Sequence, residues 1–272
     1  MSVSSALRRI EMIEEARNRK LECHINIDNT RTIIYEKPEP KIYIPTHTGA
    51  IGHLDDSPIR CIMGPYGSGK STWAINEIVR RVCAMPRWFN GRRRARWGIV
   101  RNTSGELQST TLQTWLAWFG ELGDIHKREK PILTYEHCFN DGTGFIELEL
   151  LYIALDRPQD VRKIKSLELT GAYINELSEV PQAALSHMKG RVNRYPSHGF
   201  CKTPYWAGII ADTNPPEDDH WIYKDFEEKQ LPSYRMIKQP PGLIKDDDGN
   251  WIRNPNADNI DNLPIDYYEK LA

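Results

Sequence analysis

The chain has 272 residues, which is enough for one large domain or two small ones with a sizeable hydrophobic core. Its 36 Lys and Arg residues against 37 Asp and Glu residues give a net charge of -1, which excludes a protein that is basic throughout. The charges are nevertheless segregated, because residues 80–101 hold eight Arg and no acid, whereas residues 212–272 hold 14 acidic and 7 basic residues. The five Cys include no C-x-x-C pair, and no apolar run approaches the roughly 18 residues of a membrane-spanning helix, so we expect neither a disulfide framework nor a membrane contact.

Residues 1–57 are predicted to form an N-terminal arm and an irregular lead-in, with an amphipathic helix over residues 1–20. From Ile59 onward, strands alternate with helices, which is typical of a mainly parallel sheet covered by helices. The predicted elements are strand 59–63, helix 70–84, strand 97–101, helix 104–120, a β-hairpin over 131–155, helix 158–165, strand 169–175, helix 181–189, strand 206–212, helix 218–229 and strand 233–238. Residues 240–272 are rich in Pro, Asp and Asn and are predicted to form a linker or tail. A small helix is predicted from Ile265, and because the sequence stops inside it we expect the natural protein to continue.

The strongest motif is GPYGSGKS at residues 64–71, which directly follows an apolar strand and opens a helix. It matches the G-x-x-x-x-G-K-[ST] pattern of a phosphate-binding loop, whose backbone N–H groups and following helix N-terminus bind phosphate oxygens. Lys70 is predicted to reach the β- and γ-phosphates, and the Ser71 hydroxyl to ligate Mg²⁺. The predicted nucleotide-binding residues are Gly64, Pro65, Tyr66, Gly67, Ser68, Gly69, Lys70, Ser71 and Thr72.

A second candidate segment is LELTGAYINELSEV at residues 167–180, where a predicted strand ends in Asn175 and Glu176. Ligands of open α/β sheets bind at the carboxyl ends of strands, and a Glu there can polarise the water that attacks a γ-phosphate. Glu176 is therefore the candidate catalytic carboxylate, and Asn175 and Glu176 join Ser71 as candidate metal ligands. The alternative for Glu176 is a helix-capping or surface acid, and Glu179 is the weaker candidate for the catalytic role.

A third candidate segment is AGIIADTNPP at residues 207–216, an apolar strand that ends in Thr213 and Asn214. A polar pair at the carboxyl end of a strand can sense the γ-phosphate or the attacking water. The alternative is an Asx-turn before Pro215, and the residue types alone do not distinguish the two.

Taken together, these segments resemble the ATPase domain of the large terminases, the DNA-packaging motors of tailed double-stranded DNA bacteriophages. The resemblance rests on four motifs in the family's order and approximate spacing: GPYGSGKST, GIVRNTSGELQSTTLQTW at 98–115, LTGAYINELSEVP and ADTNPP. It implies an α/β P-loop NTPase of the ASCE type, with a mainly parallel central sheet flanked by helices and an inserted β-hairpin. The implied organisation is a lead-in over 1–57, an ATPase domain over 58–239 and a linker over 240–272 towards a C-terminal nuclease domain that this chain lacks.

The resemblance also implies a function and a set of partners. ATP and Mg²⁺ are the implied cofactors, Glu176 matches the catalytic Glu, and Thr213 with Asn214 match the motif that couples hydrolysis to movement. The implied partners are double-stranded DNA, the portal protein, the small terminase subunit and further copies of this chain in a ring on the procapsid, in the host cytoplasm. Asn175 departs from the general Asp-Glu pattern of Walker B motifs, although some large terminases resemble this chain in having Asn-Glu, and the departure bears on metal affinity and not on the fold. We expect no nuclease activity from this chain.

In this family, an arginine or lysine finger from a neighbouring subunit of the ring completes the nucleotide site. In the sequence, this residue lies shortly before the Walker B motif. Arg157, Arg162 and Lys165 are the candidates in that stretch, and the sequence does not choose between them. Arg101, at the end of its predicted strand, is a further cation that could face phosphate.

The Arg-rich stretch before residue 97 is predicted to be a loop. Its members Arg92, Arg93, Arg94 and Arg96 suit contact with DNA phosphates, docking on another subunit, contact with the nucleotide of a neighbouring subunit or simple solvation. All four interpretations remain open. Arg191 and Arg194, in a second basic loop at 190–195, could face DNA or the nucleotide of a neighbour.

Three rival functions share a P-loop. A small-molecule phosphotransferase would move phosphate to a metabolite, and a nucleotide-gated assembly module would bind nucleotide without turnover. A helicase of the related type would need a second RecA-like domain that 272 residues do not supply.

Overall fold

The computed structural model describes residues 23–25, 32–34, 41–88, 91–121, 133–197, 203, 205–229 and 231–271. The helix predicted over residues 1–20 lies outside these ranges. Within them, the structure contains no helix whose length and apolar character would let it cross a membrane.

A seven-stranded sheet forms the centre of the protein. The described strands are β1 (Cys23–Ile25), β2 (Thr32–Ile34), β3 (Lys41–Tyr43), β4 (Ile59–Met63), β5 (Arg93–Arg101), β6 (Leu133–Asn140), β7 (Phe145–Ala154), β8 (Gly171–Ile174), β9 (Ile209–Thr213), β10 (Tyr234–Lys238), β11 (Leu243–Lys245) and β12 (Trp251–Arg253). The central sheet has the order β10-β4-β9-β8-β5-β7-β6, while β1-β2-β3 and β11-β12 form small separate sheets. Neighbours in the central sheet are parallel except β6 and β7, which are antiparallel. The predicted mainly parallel sheet is confirmed, and the inserted hairpin forms one of its edges.

Helical segments connect the strands. The α-helices are α1 (His47–Leu54), α2 (Lys70–Cys83), α3 (Ser104–Glu106), α4 (Leu112–Phe119), α5 (Gln182–Lys189) and α6 (Trp221–Tyr223). The segments Leu107–Thr111 and Lys224–Glu228 are π-helical, and Pro158–Ser166, Leu177–Glu179 and Ile260–Asn262 are 3-10 helices.

Several predicted elements differ from those observed. The lead-in predicted as irregular contains α1, and the helix predicted over 104–120 includes the π-helical segment Leu107–Thr111. The strand predicted over 97–101 begins at Arg93, because its first residues continue the ladder with β7. The helix predicted over 158–165 is a 3-10 helix, and the helix predicted over 218–229 is one α-helical turn followed by a π-helical turn. The helix predicted from Ile265 is a run of hydrogen-bonded turns.

Apolar side chains pack on both faces of the central sheet. Successive strand residues point to opposite faces, so Ile62 belongs to a cluster with Trp73 and Ile78 of α2, whereas Cys61 belongs to the cluster with Ile174 on the other face. This burial on two faces explains why β4, β8 and β9 are almost continuously apolar instead of alternating.

A buried ionic cluster joins α1, α2 and β4. The Glu77 carboxylate is fully buried and is contacted by His53 Nδ1 at 2.6 Å and by the guanidinium groups of Arg60 at 2.7 Å, Arg80 at 2.8 Å and Arg81 at 2.6 Å. Burial alone would raise the pKa of Glu77, but the hydrogen bond from His53 and the charges of Arg60 and Arg80 hold that pKa far below its usual range. Glu77 is therefore ionised, and it compensates a group of cations that are themselves largely buried.

The segment predicted as a linker and tail packs against the rest of the chain. Strands β11 and β12 form a hairpin, and Ala257, Asp258 and Tyr268 beyond it are buried. The Asp258 carboxylate accepts hydrogen bonds from Thr46 at 3.0 Å and from Gln239 at 2.9 Å. These contacts tie the end of the chain to the lead-in before α1, and the predicted domain boundary at residue 240 remains a prediction.

We expect Glu77→Gln to lower the free energy of unfolding by about 3–5 kcal/mol, because it leaves buried cations without their counter-charge. Chemical denaturation at pH 7 measures this loss, and Glu168→Gln, at an exposed carboxylate, is the control. Since folding lowers the pKa of Glu77 from about 4.5, its contribution is complete above that pH and decreases as the pH falls below it. The difference between wild type and variant should therefore shrink on acidification below about pH 4.5, and a difference independent of pH would contradict the assignment.

Candidate functional site

The carboxyl ends of four adjacent strands meet at one edge of the sheet. Strand β9 lies between β4 and β8, and β5 lies on the far side of β8. Ile62 of β4 is paired with Asp212 of β9, Ile174 of β8 with Ala211 of β9, and Val100 of β5 with Ile174. The residues that follow these strands are therefore level with one another, and one strand separates the P-loop strand β4 from the strand that leads to Glu176.

Residues 64–69 form the loop between β4 and α2. Gly67 and Gly69 have φ values of 74° and 84°, in the left-handed region that favours glycine. Helix α2 begins at Lys70, so its first N–H groups and the positive end of its dipole lie at the loop. The predicted strand-loop-helix order is confirmed around all the predicted nucleotide-binding residues, with Tyr66 exposed and Thr72 half-buried on the first turn of α2.

The C-terminal segment supports this loop from outside. Asn259 Nδ2 donates to the carbonyl oxygen of Gly67 at 2.6 Å, and a Cβ placed on Gly67 would lie 2.9 Å from the Tyr267 ring. Gln239 Nε2 donates to the carbonyl oxygen of Ser68 at 3.0 Å. Sequence analysis missed these contacts, because a Pro-, Asp- and Asn-rich composition carries no signal of long-range packing.

Lys70 is buried in the loop with its ammonium group fully engaged. Its Nζ donates to the carbonyl oxygens of Gly64 at 2.9 Å and Pro65 at 2.7 Å, and to Asn214 Oδ1 at 3.0 Å. Burial lowers the pKa of Lys70, and the nearby carboxylates of Asp212 and Glu176 oppose that shift. The charge that would meet a phosphate is thus held in place by groups of the P-loop and by the residue that follows β9.

Asp212 is a central group of the site that sequence analysis did not select. Its carboxylate is fully buried, and it accepts hydrogen bonds from Ser71 Oγ at 2.7 Å, Tyr173 Oη at 3.0 Å, Asn175 Nδ2 at 2.9 Å and the backbone N–H of Glu176 at 2.9 Å. The available signal was a charged residue inside the otherwise apolar strand Ile209–Thr213. A buried carboxylate needs such a set of donors, so this position is a functional candidate on physical grounds.

Asn175 presents its amide nitrogen, not its oxygen, to the P-loop side. Its Oδ1 accepts from Arg101 Nη1 at 2.8 Å and from Thr111 Oγ1 at 2.6 Å, while its Nδ2 lies 3.4 Å from Ser71 Oγ. The partners fix this orientation, because a flipped amide would put its NH₂ against a guanidinium and its oxygen against Asp212. In this orientation the amide nitrogen, and not the oxygen, faces Ser71, and the role of Asn175 as a metal ligand remains a prediction. The π-helical turn before α4 brings Thr111 into this contact.

Glu176 directly follows Asn175 and has φ +51° and ψ 65°, a left-handed conformation that costs free energy in a residue with a side chain. Its Oε2 lies 3.3 Å from the backbone N–H and 3.2 Å from the side-chain amide of Asn214, which both donate to it. Burial and the charge of Asp212 raise the pKa of Glu176, and the charges of Lys70 and Arg101 oppose this. A half-buried carboxylate whose pKa is raised accepts a proton more readily than an exposed one, which suits Glu176 to take a proton from water.

Asn214 links the loop to the candidate base. Its side chain accepts from Lys70 and donates to Glu176. Thr213 is buried, with its hydroxyl donating to the carbonyl oxygen of Asn214 at 2.9 Å and accepting from the N–H of Ser178 at 3.2 Å. These contacts cross the site instead of closing a local Asx-turn, so they favour the sensing interpretation.

The structure brings one of the candidate cations to this edge. Arg101 lies at the carboxyl end of β5. Its Nη1 donates a hydrogen bond to Asn175 Oδ1, and its Nη2 lies 3.5 Å from Glu179 Oε2. Arg157, Arg162 and Lys165 are exposed on or beside the 3-10 helix Pro158–Ser166, which follows β7. Among the described residues, none of these three makes a hydrogen bond or an ion pair with the P-loop or with Glu176.

The prediction that the clustered Arg residues lie in a loop is wrong, because strand β5 begins at Arg93. Their charges are paired with acidic residues of the hairpin: Arg93 with Asp141, Arg92 and Arg94 with Glu147, and Arg96 with Glu149, at N–O distances of 2.5 to 2.8 Å. These residues lie at the amino-terminal end of β5, opposite the P-loop edge. Local pairing of their charge removes much of the support for a DNA-binding loop, and contact with DNA or another subunit remains a prediction.

Arg191 and Arg194 also lie at the edge of the sheet away from the P-loop. The carbonyl oxygen of Arg191 accepts from the N–H of Leu169 at 3.0 Å, and the N–H of Arg194 donates to the Leu169 carbonyl at 3.0 Å, just before β8. Their predicted contacts with DNA or with the nucleotide of a neighbouring subunit remain predictions.

Comparisons with known proteins give structural similarities only. No family model matches the chain, and no curated protein matches it. Among solved structures, the large terminase from a thermophilic bacteriophage is similar with a TM-score of 0.47 and 12% identity, over 68% of this chain and 41% of that one. The same protein in complex with ATP-gamma-S gives a TM-score of 0.45 and 14% identity, over 68% and 40%. The HK97 bacteriophage large terminase gives 0.46 and 10%, over 88% of this chain and 44% of that one.

This chain thus spans about two-fifths of the length of those terminases. The similar structures belong to the same family that the sequence motifs resemble. Since identity and TM-score are low, the functional conclusion depends on the geometry of the site.

Lys70→Met keeps the length of the side chain and removes its charge. We expect it to weaken ATP-gamma-S binding about 10- to 100-fold, because a charged hydrogen bond to a phosphate contributes about 1.5–3 kcal/mol. Isothermal titration calorimetry measures this, with Lys189→Met, at an exposed lysine, as the control. Equal affinities for wild type and Lys70→Met would contradict a contact between Lys70 and phosphate.

Proposed function

We propose that this chain is a Mg²⁺-dependent ATPase, and that it is the motor domain of a large terminase which drives double-stranded DNA into a procapsid. The observation that carries the ATPase proposal is the convergence of a P-loop lysine, its hydroxyl neighbour Ser71 and a half-buried glutamate at one edge of the sheet. Asn214 bridges Lys70 and Glu176 directly, so the phosphate-binding group and the candidate base belong to one hydrogen-bonded unit.

The geometry supports hydrolysis rather than binding alone. With its pKa raised by burial and by Asp212, Glu176 is the group that accepts a proton from an attacking water, and Asn214 orients its carboxylate. Lys70 and the N–H groups at the start of α2 stabilise negative charge on the transferred phosphate. Ser71 is the side chain suited to hold Mg²⁺, which when bound would neutralise phosphate charge.

A DNA-packaging motor needs partners besides the nucleotide. The four motifs that resemble large terminases support double-stranded DNA, a portal protein, a small terminase subunit and a homo-oligomeric ring as partners. The exposed cations Arg157, Arg162 and Lys165 lie on the surface, where a neighbouring copy can meet them. A cation from a neighbour would complete the charge stabilisation that Lys70 begins.

Glu176→Gln tests the catalytic assignment. We expect kcat for ATP hydrolysis to fall about 10²- to 10⁴-fold, because a neutral amide cannot accept the proton, while ATP-gamma-S affinity is retained. Glu179→Gln is the matched control, since Glu179 lies in the same segment but its carboxylate points to Arg101. If Glu176→Gln hydrolyses ATP at the wild-type rate, Glu176 is not the base. If the wild type transfers phosphate to a metabolite rather than to water, the chain is a phosphotransferase.

A mixing experiment tests for a finger that acts in trans. We expect alanine at one of Arg157, Arg162 or Lys165 to lower the assembled ATPase about 10³- to 10⁵-fold. Mixing that variant with Glu176→Gln should restore part of the rate, because one copy supplies the finger and the other an intact base. Lys163→Ala, whose lysine pairs with Asp160 in the same segment, is the control. If none of the three substitutions lowers the ATPase rate, these residues do not act as fingers.

A further inference from the structure

The Walker B motif of this chain lacks the carboxylate that usually faces the P-loop hydroxyl, because Asn175 stands at that position. A neutral amide there leaves the metal side of the site without its usual negative charge. The structure nevertheless places one carboxylate on Ser71, and it comes from the neighbouring strand. Asp212 Oδ2 accepts the hydroxyl proton of Ser71 at 2.7 Å.

We propose that Asp212 of β9 takes the place of the missing Walker B carboxylate: by accepting the Ser71 hydroxyl proton, it leaves the Ser71 oxygen as an acceptor that would hold Mg²⁺. Asp212 is thus a positioning residue and not a metal ligand itself, since both of its oxygens are occupied by hydrogen-bond donors of the protein. This inference rests on the proposed ATPase function.

The order of the strands explains how Asp212 can stand in for a carboxylate at position 175. Because β9 lies between β4 and β8, a side chain near its carboxyl end is adjacent to both the P-loop and the Walker B residues. Pairing puts Asp212 level with Ile62 of β4, while Asn175 follows Ile174, which is paired with Ala211. The two positions are therefore neighbours, and a carboxylate can occupy either one while facing the same hydroxyl.

Electrostatics explains why the chain has one carboxylate here and not two. Asn175 Nδ2 lies 2.9 Å from Asp212 Oδ1, and an Asp at position 175 would place two negative groups in a buried site. Like charges at that distance cannot both remain ionised without a large cost. Asn175 avoids the repulsion and donates a hydrogen bond, while Arg101 and Thr111 hold its other end.

The environment also keeps Asp212 directed at Ser71. Tyr173 donates to the same oxygen, Oδ2, and burial together with the charge of Asp212 raises the pKa of Tyr173, so that this hydroxyl remains a donor. The N–H of Glu176 and the amide of Asn175 hold the other oxygen. With each oxygen bound by two donors, the carboxylate cannot rotate away without breaking two hydrogen bonds.

The test measures Mg²⁺ binding rather than turnover. Calorimetric titration of ATP-gamma-S is carried out in Mg²⁺ and in EDTA on wild type, on Asp212→Asn and on the exchanged variant Asn175→Asp/Asp212→Asn. We expect Asp212→Asn to lose about 10- to 100-fold of the Mg²⁺ affinity while keeping its nucleotide affinity in EDTA, as positioning residues at metal sites do. The exchanged variant returns a carboxylate to the site and should recover most of the Mg²⁺ affinity. Asp225→Asn, at a buried Asp bonded to Gln182 and Lys229, is the control.

Three outcomes overturn the inference. One is an Asp212→Asn variant with wild-type Mg²⁺ affinity, and another is an equal loss of nucleotide affinity in Mg²⁺ and in EDTA, which indicates a purely structural role. The third is an exchanged variant that does not bind Mg²⁺, which decides the question even if Asp212→Asn alone does not fold. Failure of the proposed function looks different, because the wild type then binds no ATP-gamma-S in either buffer.

Discussion

The position of strand β9 between β4 and β8 is the constraint on which the rest of the site depends. It brings three loops to the same edge of the sheet, so that the P-loop, the segment after β8 and the segment after β9 can share hydrogen bonds. Lys70, Asn214 and Glu176 form one such chain of contacts, and Ser71, Asp212 and Asn175 form another. If β4 and β8 were direct neighbours, Asp212 and Asn214 would not lie between the phosphate-binding loop and the candidate base.

Two distant parts of the chain hold this edge in place. On one side, the Glu77 cluster joins α2 to α1 and β4, so the helix that begins at Lys70 is anchored near its middle by buried ion pairs. On the other side, Gln239 and Asn259 hold the backbone of the P-loop through its carbonyl oxygens. Left-handed glycines give the loop its shape, and these contacts restrict it to that shape.

Sequence patterns predicted the parts of the fold that depend on local chemistry. The apolar runs of β4, β8 and β9 and the glycine-rich loop predicted the parallel sheet and the strand-loop-helix order of the P-loop, because full burial and left-handed backbone both leave clear compositional marks. The extension of β5 to Arg93 was missed, because a run of arginines is typical of a solvent-exposed loop. Only the ion pairs with acidic residues of the hairpin explain why these arginines lie in a strand. Asp212 was also missed because its partners are distant in the sequence. Its role depends on four donors from β8, α2 and the residues that follow β8, and no single segment contains that information.

The central claim is that this edge of the sheet hydrolyses ATP and that assembly with DNA completes it. The most direct measurement is the release of inorganic phosphate from Mg²⁺-ATP by the wild-type chain, followed against protein concentration with and without double-stranded DNA. The proposed function predicts release that depends on Mg²⁺, rises more steeply than the protein concentration and increases when DNA is added. Nucleotide binding without phosphate release under any of these conditions would contradict the claim and indicate a module that nucleotide assembles but that does not hydrolyse it.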